Sequence, residues 1–474
     1  MATLTLTPGT FKQSTFDKVG DGFQYDTIHL KPGAYTASLP YKLNSGTTIT
    51  ADQGAIITLI PNASESLFPS MRPIFGQVKR TIQDIDISGL TIDGNSNRQT
   101  VPSGKGFHNA FWFQRSENIN IHDLTVQNSQ GDGLRITDGK NITFARNKVL
   151  RCGHDAVYCD KADTVDVFNN YVELRVNSGC RLRHTQNGHV YNNYIINKNG
   201  GAASSPGMQI EVSTAGMSSK NILIENNEIR GTWGPGIWVI GLANSDISAA
   251  TGLTIKNNLF FDCGNMDGSY HHIPGVGGIV ADGWDKLDVS YNTFDKCLGY
   301  GVLLGPYVSA TPAGKGYSAM IYRNIITNTQ KSNEVGTASG AAVANLVQDR
   351  YTSVEVYENC TYGNVRNYYG VSPSKEILSD PLYAGDGDYH LKSTAGRYSG
   401  SQLVMDDVMS PCILPEYELG MYGGTSDASR YTAQPEPEEH EPLQTVYVVI
   451  PCESEESAKT TADGFEGAFI IYRK

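Results

Sequence analysis

The chain is poor in charge and has no long hydrophobic run. Asp, Glu, Lys and Arg together make 18% of its 474 residues, which is not the charge-rich composition of a disordered chain. No stretch of about 18 apolar residues exists, so no segment is expected to span a membrane. Lys and Arg number 37 against 49 Asp and Glu, a formal charge of −12. That balance argues against nucleic acid as the main partner, although local Arg clusters can still hold an anionic glycan. The eight cysteines (Cys152, Cys159, Cys180, Cys263, Cys297, Cys360, Cys412 and Cys452) include no CxxC pair, so a zinc or redox motif is not expected. Most are expected as unpaired packing residues, with disulfides between stacked segments left open. There is no GxGxxG, Walker loop, EF-hand or HExxH. Neither a cofactor nor a metal site is predicted. The N-terminus MATLTLTPGTFKQSTFDKV lacks a basic n-region and an apolar h-region, so no signal peptide is read there.

What the chain does have is glycine, 50 residues of it, and a repeat. The stretches GDGLRI, GHDAVYC, NSGCRLR, SPGMQIE and GPGIWVI are short strands led by small-residue turns. Between them lie ITFARNKV, VDVFNNYV, HVYNNYI and ILIENNEI, a second strand type ending in Asn. Two strand types alternating at a near-fixed period predict an all-β solenoid, a parallel β-helix. The strand-end Asn falls at 147, 170, 193, 227, 258, 292, 324 and 359, so the steps are 23, 23, 34, 31, 34, 32 and 35. A step of 23 fits one coil. The longer steps need loops of roughly ten residues, and loops grafted on one face of a repeat usually carry function. The Asn residues are read as turn formers, tolerant of left-handed backbone and stacked in a hydrogen-bonded ladder.

Aligning the first strand type on Gly133, Asp155, Gly179, Gly207, Gly236, Gly278 and Gly301 sorts its side chains. The next residue points inward (Leu134, Ala156, Cys180, Met208, Ile237, Ile279, Val302). The one after points outward (Arg135, Val157, Arg181, Gln209, Trp238, Val280, Leu303), as does the residue four beyond the anchor (Thr137, Cys159, Arg183, Glu211, Ile240, Asp282, Gly305). One outer face therefore carries Asp132, Arg135, His154, Asp155, Arg181, Arg183, Gln209, Glu211 and Trp238. With coils about 4.8 Å apart, the set fits a groove of roughly 20–25 Å. Asp132, His154, Asp155, Arg181 and Glu211 are the catalytic candidates. Arg135, Arg183, Gln209, Trp233, Trp238 and Asp282 are the substrate-binding candidates. Such a face suits a sugar chain: Trp stacks, Arg holds a carboxylate at two points, and Asp, Glu or His moves protons. Plainer readings stand beside these. Arg183 and Glu211 share a slot and can simply form an inter-coil ion pair. Arg135 can be a solvated surface residue, and Asp132, His154 and Asp155 can be turn residues bonded to backbone. Two further loops are read as rims: 260–277, with Asp267, His271 and His272, and 305–318, with Tyr307, Lys315 and Tyr317.

The motifs SGLTIDGN, GKGFHNAFWF, NSQGDGLRI, RCGHDAVY, NSGCRLR, GPGIWVIGL, GGIVADGW and GKGYSAMIYRNIITNTQK resemble those of the archaeal disaggregatase family of Methanosarcina. Those enzymes dissolve the methanochondroitin matrix around cell clumps. The resemblance covers roughly residues 25–330. It implies a right-handed parallel β-helix, a homotrimer, and activity on a glycan containing glucuronate and N-acetylgalactosamine. It assigns no catalytic residue here. A further stretch, DGDYHLKSTAGRYSGSQLVMDDVMSPCI with ELGMYGGTSDAS, resembles the closing motif of many secreted β-helix proteins.

The expected organisation is an N-terminal cap over 1–24, the β-helix over 25–432, a Pro/Glu-rich linker over 433–443 and a strand–helix–strand appendage over 444–474. About 30 residues cannot bury a core alone, so the appendage reads as an oligomer clasp or an attachment unit. The expected function is depolymerisation of an acidic polysaccharide, outside the cell, at its surface or on a virion. Hydrolysis by two carboxylates is favoured: Asp132 and Asp155 are expected about 5 Å apart, and Asp155 and Glu211 roughly 10 Å apart. The alternatives are β-elimination, with His154 as base and Arg181 or Arg183 neutralising the uronate, a virion tail spike, or a non-catalytic adhesin on the same scaffold.

Overall fold

A computed structural model describes residues 2–38, 40–63, 73–77, 80–99, 108–197, 206–241, 247–264, 276–305, 314–332, 338–385, 388–391, 398–399 and 402–403. The chain divides into two compact units, Met1–Thr432 and Ala433–Lys474. The linker, the appendage and nearly all of the closing motif lie outside the described residues.

The first unit is a parallel β-helix, as the repeat predicts. Nearly every strand pairs in parallel with its counterpart one coil on, forming one sheet of 22 strands and another of 12. In the early coils one long strand, such as Leu134–Ala145 or Val157–Phe168, turns a corner and serves two faces. Later coils split it, as in Cys180–Arg183 followed by Gln186–Tyr191. A three-residue strand closes each turn of the helix on the third face, for instance Tyr171–Glu173 paired with Tyr194–Ile196. Inward side chains stack coil on coil. One column runs Phe113, Ile136, Cys159, Leu182, Ile210 and Val239, all essentially inaccessible to solvent. Each such residue contributes roughly 1.5–3 kcal/mol of burial.

The Asn ladder is present, and all eight residues are buried. The Asn147 N–H donates to Asn170 Oδ1 at 2.9 Å, Asn170 to Asn193 at 3.1 Å, and Asn193 to Asn227 at 2.9 Å. The pattern continues to Asn359. The left-handed residue is not the ladder Asn, as expected from sequence, but the residue before it. Arg146, Asn169, Asn192, Asn226, Asn257, Tyr291, Arg323 and Glu358 all have φ of 53–56°. The corner is thus made by one residue and its polar groups are satisfied by the next.

Residues 1–24 do more than cap. The strand Thr3–Leu6 already pairs with Thr27–Leu30, while Phe11 and Phe16 plug the open end against Tyr35, Tyr41 and Phe75. The six cysteines among the described residues are free and buried.

The extra residues of the longer coils do not fall on one face. In chain order the longer steps arise at two points of the coil, after third-face strands such as Tyr194–Ile196 and Leu259–Phe261 and after first-face strands such as Met208–Val212 and Ile237–Gly241.

Candidate active site

The first face begins with a register correction. Leu134 pairs with Val157, and Val157 with Cys180. The equivalent of Gly133 is therefore Ala156, not Asp155. A Cβ at Gly133 would lie 2.5 Å from the Ala156 carbonyl oxygen, so this glycine is set by close approach of the next coil. Val157 and Cys159 point inward and are buried. The outward row instead reads Trp112, Arg135, Tyr158, Arg181, Gln209, Trp238. A second row reads Thr137, Asp160, Arg183, Glu211, Ile240, Asp282. Trp112, Tyr158 and Asp160 are the residues sequence reasoning missed. Adding 23 to Gly133, the step already shown by Asn147 and Asn170, lands on Ala156 and places Tyr158 between Arg135 and Arg181.

The corrected register aligns Asp155 with Asp132 at the corner leading into this face. The two join a second ladder. The Asp132 N–H donates to Asn109 Oδ1 at 2.7 Å, the Asp155 N–H to Asp132 Oδ1 at 3.0 Å, and the Ser178 N–H to Asp155 Oδ1 at 3.0 Å. The Ser178 hydroxyl also bonds Asp155 Oδ1. Both aspartate side chains are fully buried. Each spends one oxygen on the ladder and turns the other toward a cation. Asp132 Oδ2 accepts from Arg135 Nη1 at 3.1 Å. Asp155 Oδ2 lies 3.1 Å from His154 Nδ1 and 3.8 Å from Arg181 Nη1.

His154 sits between them. Its Nδ1 is 2.6 Å from Asp132 Oδ1, and its side chain is 24% exposed. Burial alone would lower its pKa, but hydrogen bonds to Asp132 and Asp155 and their charges outweigh burial and push it up to about 10. The ring is an imidazolium at neutral pH. It is an acid, not the base that the elimination alternative assigned to it. Asp132, His154 and Asp155 bring three ligand atoms within 4.8 Å. A cation there would have to displace the shared proton.

Arg181 links this cluster to Glu211. Its Nε and Nη2 donate to Glu211 Oε2 at 3.0 and 2.5 Å. Glu211 is thus paired with both arginines, hydrogen-bonded by Arg181 and, as the shared slot predicts, in an ion pair with Arg183, whose Nε is 3.7 Å from Oε1. Burial would lower the Arg181 pKa, but the charges of Asp155 and Glu211 raise it. Tyr158 lies between two guanidiniums, with Arg135 at 4.6 Å and Arg181 at 4.9 Å from its ring, and Arg135 also reaches the Trp112 ring at 5.2 Å. Burial raises the Tyr158 pKa despite the hydrogen bond from Arg183. Arg183 is 27% exposed; it hydrogen-bonds Ser213 Oγ at 3.0 Å, the Tyr158 hydroxyl at 3.2 Å and Thr214 Oγ1 at 3.1 Å, and its Nη1 lies 3.8 Å from Asp160 Oδ2. Beneath it, Asp160 holds His184 Nδ1 at 2.8 Å. Burial would raise the Asp160 pKa, but His184 and Arg183 bring it down.

Other candidates fall elsewhere. Gln209 is buried and donates to Glu211 Oε2 at 2.7 Å, so it orients Glu211. Asp282 is buried against Arg350, with Nη2 at 2.5 Å; burial pushes its pKa up to about 6 against the pull of Arg350. Trp238 points outward as expected but is half-buried against a second apolar cluster. Trp233 is half-buried in the turn at 231–235, off both rows. Tyr317 is no rim residue; it is buried against Tyr351. Lys315 is 71% exposed, 3.7 Å from Asp349. Asp267, His271, His272 and Tyr307 lie outside the described residues.

Solved structures share this fold. The A-module of mannuronan C-5 epimerase AlgE6 of Azotobacter vinelandii is 15% identical over 75% of this chain and 91% of its own, with a TM-score of 0.56. An endopolygalacturonase of Stereum purpureum (14% identity, 80% and 99% coverage) and the surface adhesin PfbA of Streptococcus pneumoniae (15%, 77% and 85%) have TM-scores of 0.45 and 0.42. No curated protein matches the sequence significantly. Among families, residues 78–247 match the right-handed β-helix region and residues 219–415 match the family described as disaggregatase related. Over these two stretches the chain is similar to disaggregatase-related proteins and to right-handed β-helix proteins.

Proposed function

We propose that this chain depolymerises an acidic extracellular polysaccharide of the methanochondroitin type, by hydrolysis. The observation that carries the reading is one outer face on which Arg135, Arg181 and Arg183 flank an imidazolium held by two buried aspartates. Arg183, the most exposed of the three and hydrogen-bonded to neutral groups, is best placed to take a uronate carboxylate at two points. His154 gives its proton to the glycosidic oxygen as the C1–O bond breaks. Water adds to C1 and passes a proton to Glu211. Asp132 and Asp155 are too buried to touch a sugar and serve to hold His154 charged. Glu211 lies two coils from the His154 coil, about 10 Å by strand spacing, at the wide end of the separation of an inverting pair.

A second reading rests on Tyr158. Its hydroxyl, held by Arg183 at 3.2 Å, lies beside the guanidiniums that would neutralise a uronate. In β-elimination its deprotonated form would take the C5 proton, the C4–O bond would break as the C4=C5 double bond forms, and the leaving oxygen would take a proton from His154. The substrate lies outside the cell, so the chain acts there, at a cell surface or on a virion. We place it there as a homotrimer, which sedimentation checks. The deciding experiment compares native and carboxyl-reduced methanochondroitin. New reducing ends from the native polymer alone, without ultraviolet absorbance of an unsaturated uronate, support hydrolysis at a carboxylate-reading site. A rising chromophore replaces hydrolysis by elimination, and equal cleavage of both polymers removes the arginine role.

A further inference from the structure

The outward row of the first face changes character along its length. From Trp112 to Gln209 it is aromatic and polar. Beyond Trp238 the same row continues as Val280, Leu303 and Ala344, and these outward-pointing residues are fully buried. They pack with Val276, Tyr300, Ala338 and Ala341 in an apolar cluster distinct from the helix core, and the half-buried Trp238 leans on its edge. The second row closes at the same level. Ile240 and Asp282 are buried, and Arg350 reaches Asp282 Oδ1 and Oδ2 at 3.2 and 2.5 Å. Arg350 follows the strand Ala341–Asn345, which lies two coils beyond Asp282. Its carbonyl stays paired with the Gly316 and Tyr317 N–H groups of the neighbouring coil, while its side chain reaches back across the outer face.

A hydrated, charged glycan cannot lie on a sealed apolar surface. We propose that the groove dead-ends at Trp238, so that the enzyme acts at a chain end and releases a short product of uniform length. This rests on the depolymerase reading and adds its mode of action. Tyr158, on the His154 coil, and Trp238 are three coil steps apart, about 14 Å at the inter-strand spacing. That span sets the product length. Trp238 is the wall against which the terminal sugar stops, and the Asp282–Arg350 pair fastens the wall.

The test uses the full chain on long methanochondroitin, following viscosity, reducing ends and product size together. Chain-end action predicts one short product from the earliest time point, with viscosity falling only in proportion to the mass released. A steep early fall in viscosity with a broad range of long fragments overturns the dead end while leaving the depolymerase reading intact. Absence of any product removes both. Trp238→Ala, verified as folded by circular dichroism, is expected to broaden the product into several lengths. An unchanged single product from Trp238→Ala shows that Trp238 is not the stop and overturns its assignment.

Discussion

At the scale of single residues, the proposed hydrolysis depends most on His154. Its pKa, raised from the ordinary 6.5 to about 10 by Asp132 and Asp155 against the pull of burial, makes two predictions. In folded protein the imidazole nitrogens titrate near pH 10, which nitrogen NMR reads directly, and kcat/KM falls as pH rises through that value because the acid form is the active one. Because the folded value lies above the unfolded one, the stabilisation from this triad is complete below about pH 6.5 and fades as pH approaches 10. Asp132→Asn separates structure from chemistry. Asn109 fills the neighbouring ladder position with an amide oxygen, so the variant keeps its ladder bond and folds. It loses one of the two charges on His154, so the His154 titration moves down by more than one pH unit (about 1.4 kcal/mol per unit) and activity drops at least tenfold. Unchanged titration would show that Asp132 is only a ladder residue. Tyr158→Phe discriminates mechanisms: it keeps the ring between Arg135 and Arg181 and removes the hydroxyl. Hydrolysis predicts activity within a fewfold of wild type, whereas elimination through Tyr158 predicts near-complete loss.

At the scale of elements, the coil is held by two side-chain ladders as much as by its strands. Asn227 accepts from the Asn193 N–H and donates to the Val190 carbonyl, all of it buried. Asn227→Ala leaves both backbone groups unpaired and is expected to destabilise by about 2–6 kcal/mol, at about 1–3 kcal/mol per orphaned buried group, measured by denaturant unfolding. The periodicity of these elements was legible because a solenoid writes its period into the chain. Eight Asn residues named the coils, and inward columns such as Ile136 and Leu182 followed from alternation. The error at Asp155 arose from reading its coil by local turn chemistry. In GHDAVY the glycine that usually marks the turn is displaced, and an Asp looks like its substitute. The backbone obeyed the 23-residue step instead, so Asp155 became a ladder residue and Tyr158 an outward one. Asp282 and Gln209 misled for another reason. Strand alternation says which way a side chain leaves the sheet, not what folds over it. Arg350, 68 residues on, carried no local signal.

At the scale of the molecule, the solenoid acts as a ruler. Stacked coils set side chains from six successive turns, Trp112 to Trp238, along one face. The fold is shared with a solved structure only 15% identical in sequence, so the architecture alone does not fix the chemistry. The most direct measurement is release of reducing ends from methanochondroitin by wild type and by His154→Gln, at equal concentration and at matched binding of the polymer. The account predicts steady release by wild type and a loss of at least a hundredfold in His154→Gln, with binding retained. Binding without release by wild type, or full activity in His154→Gln, would contradict it.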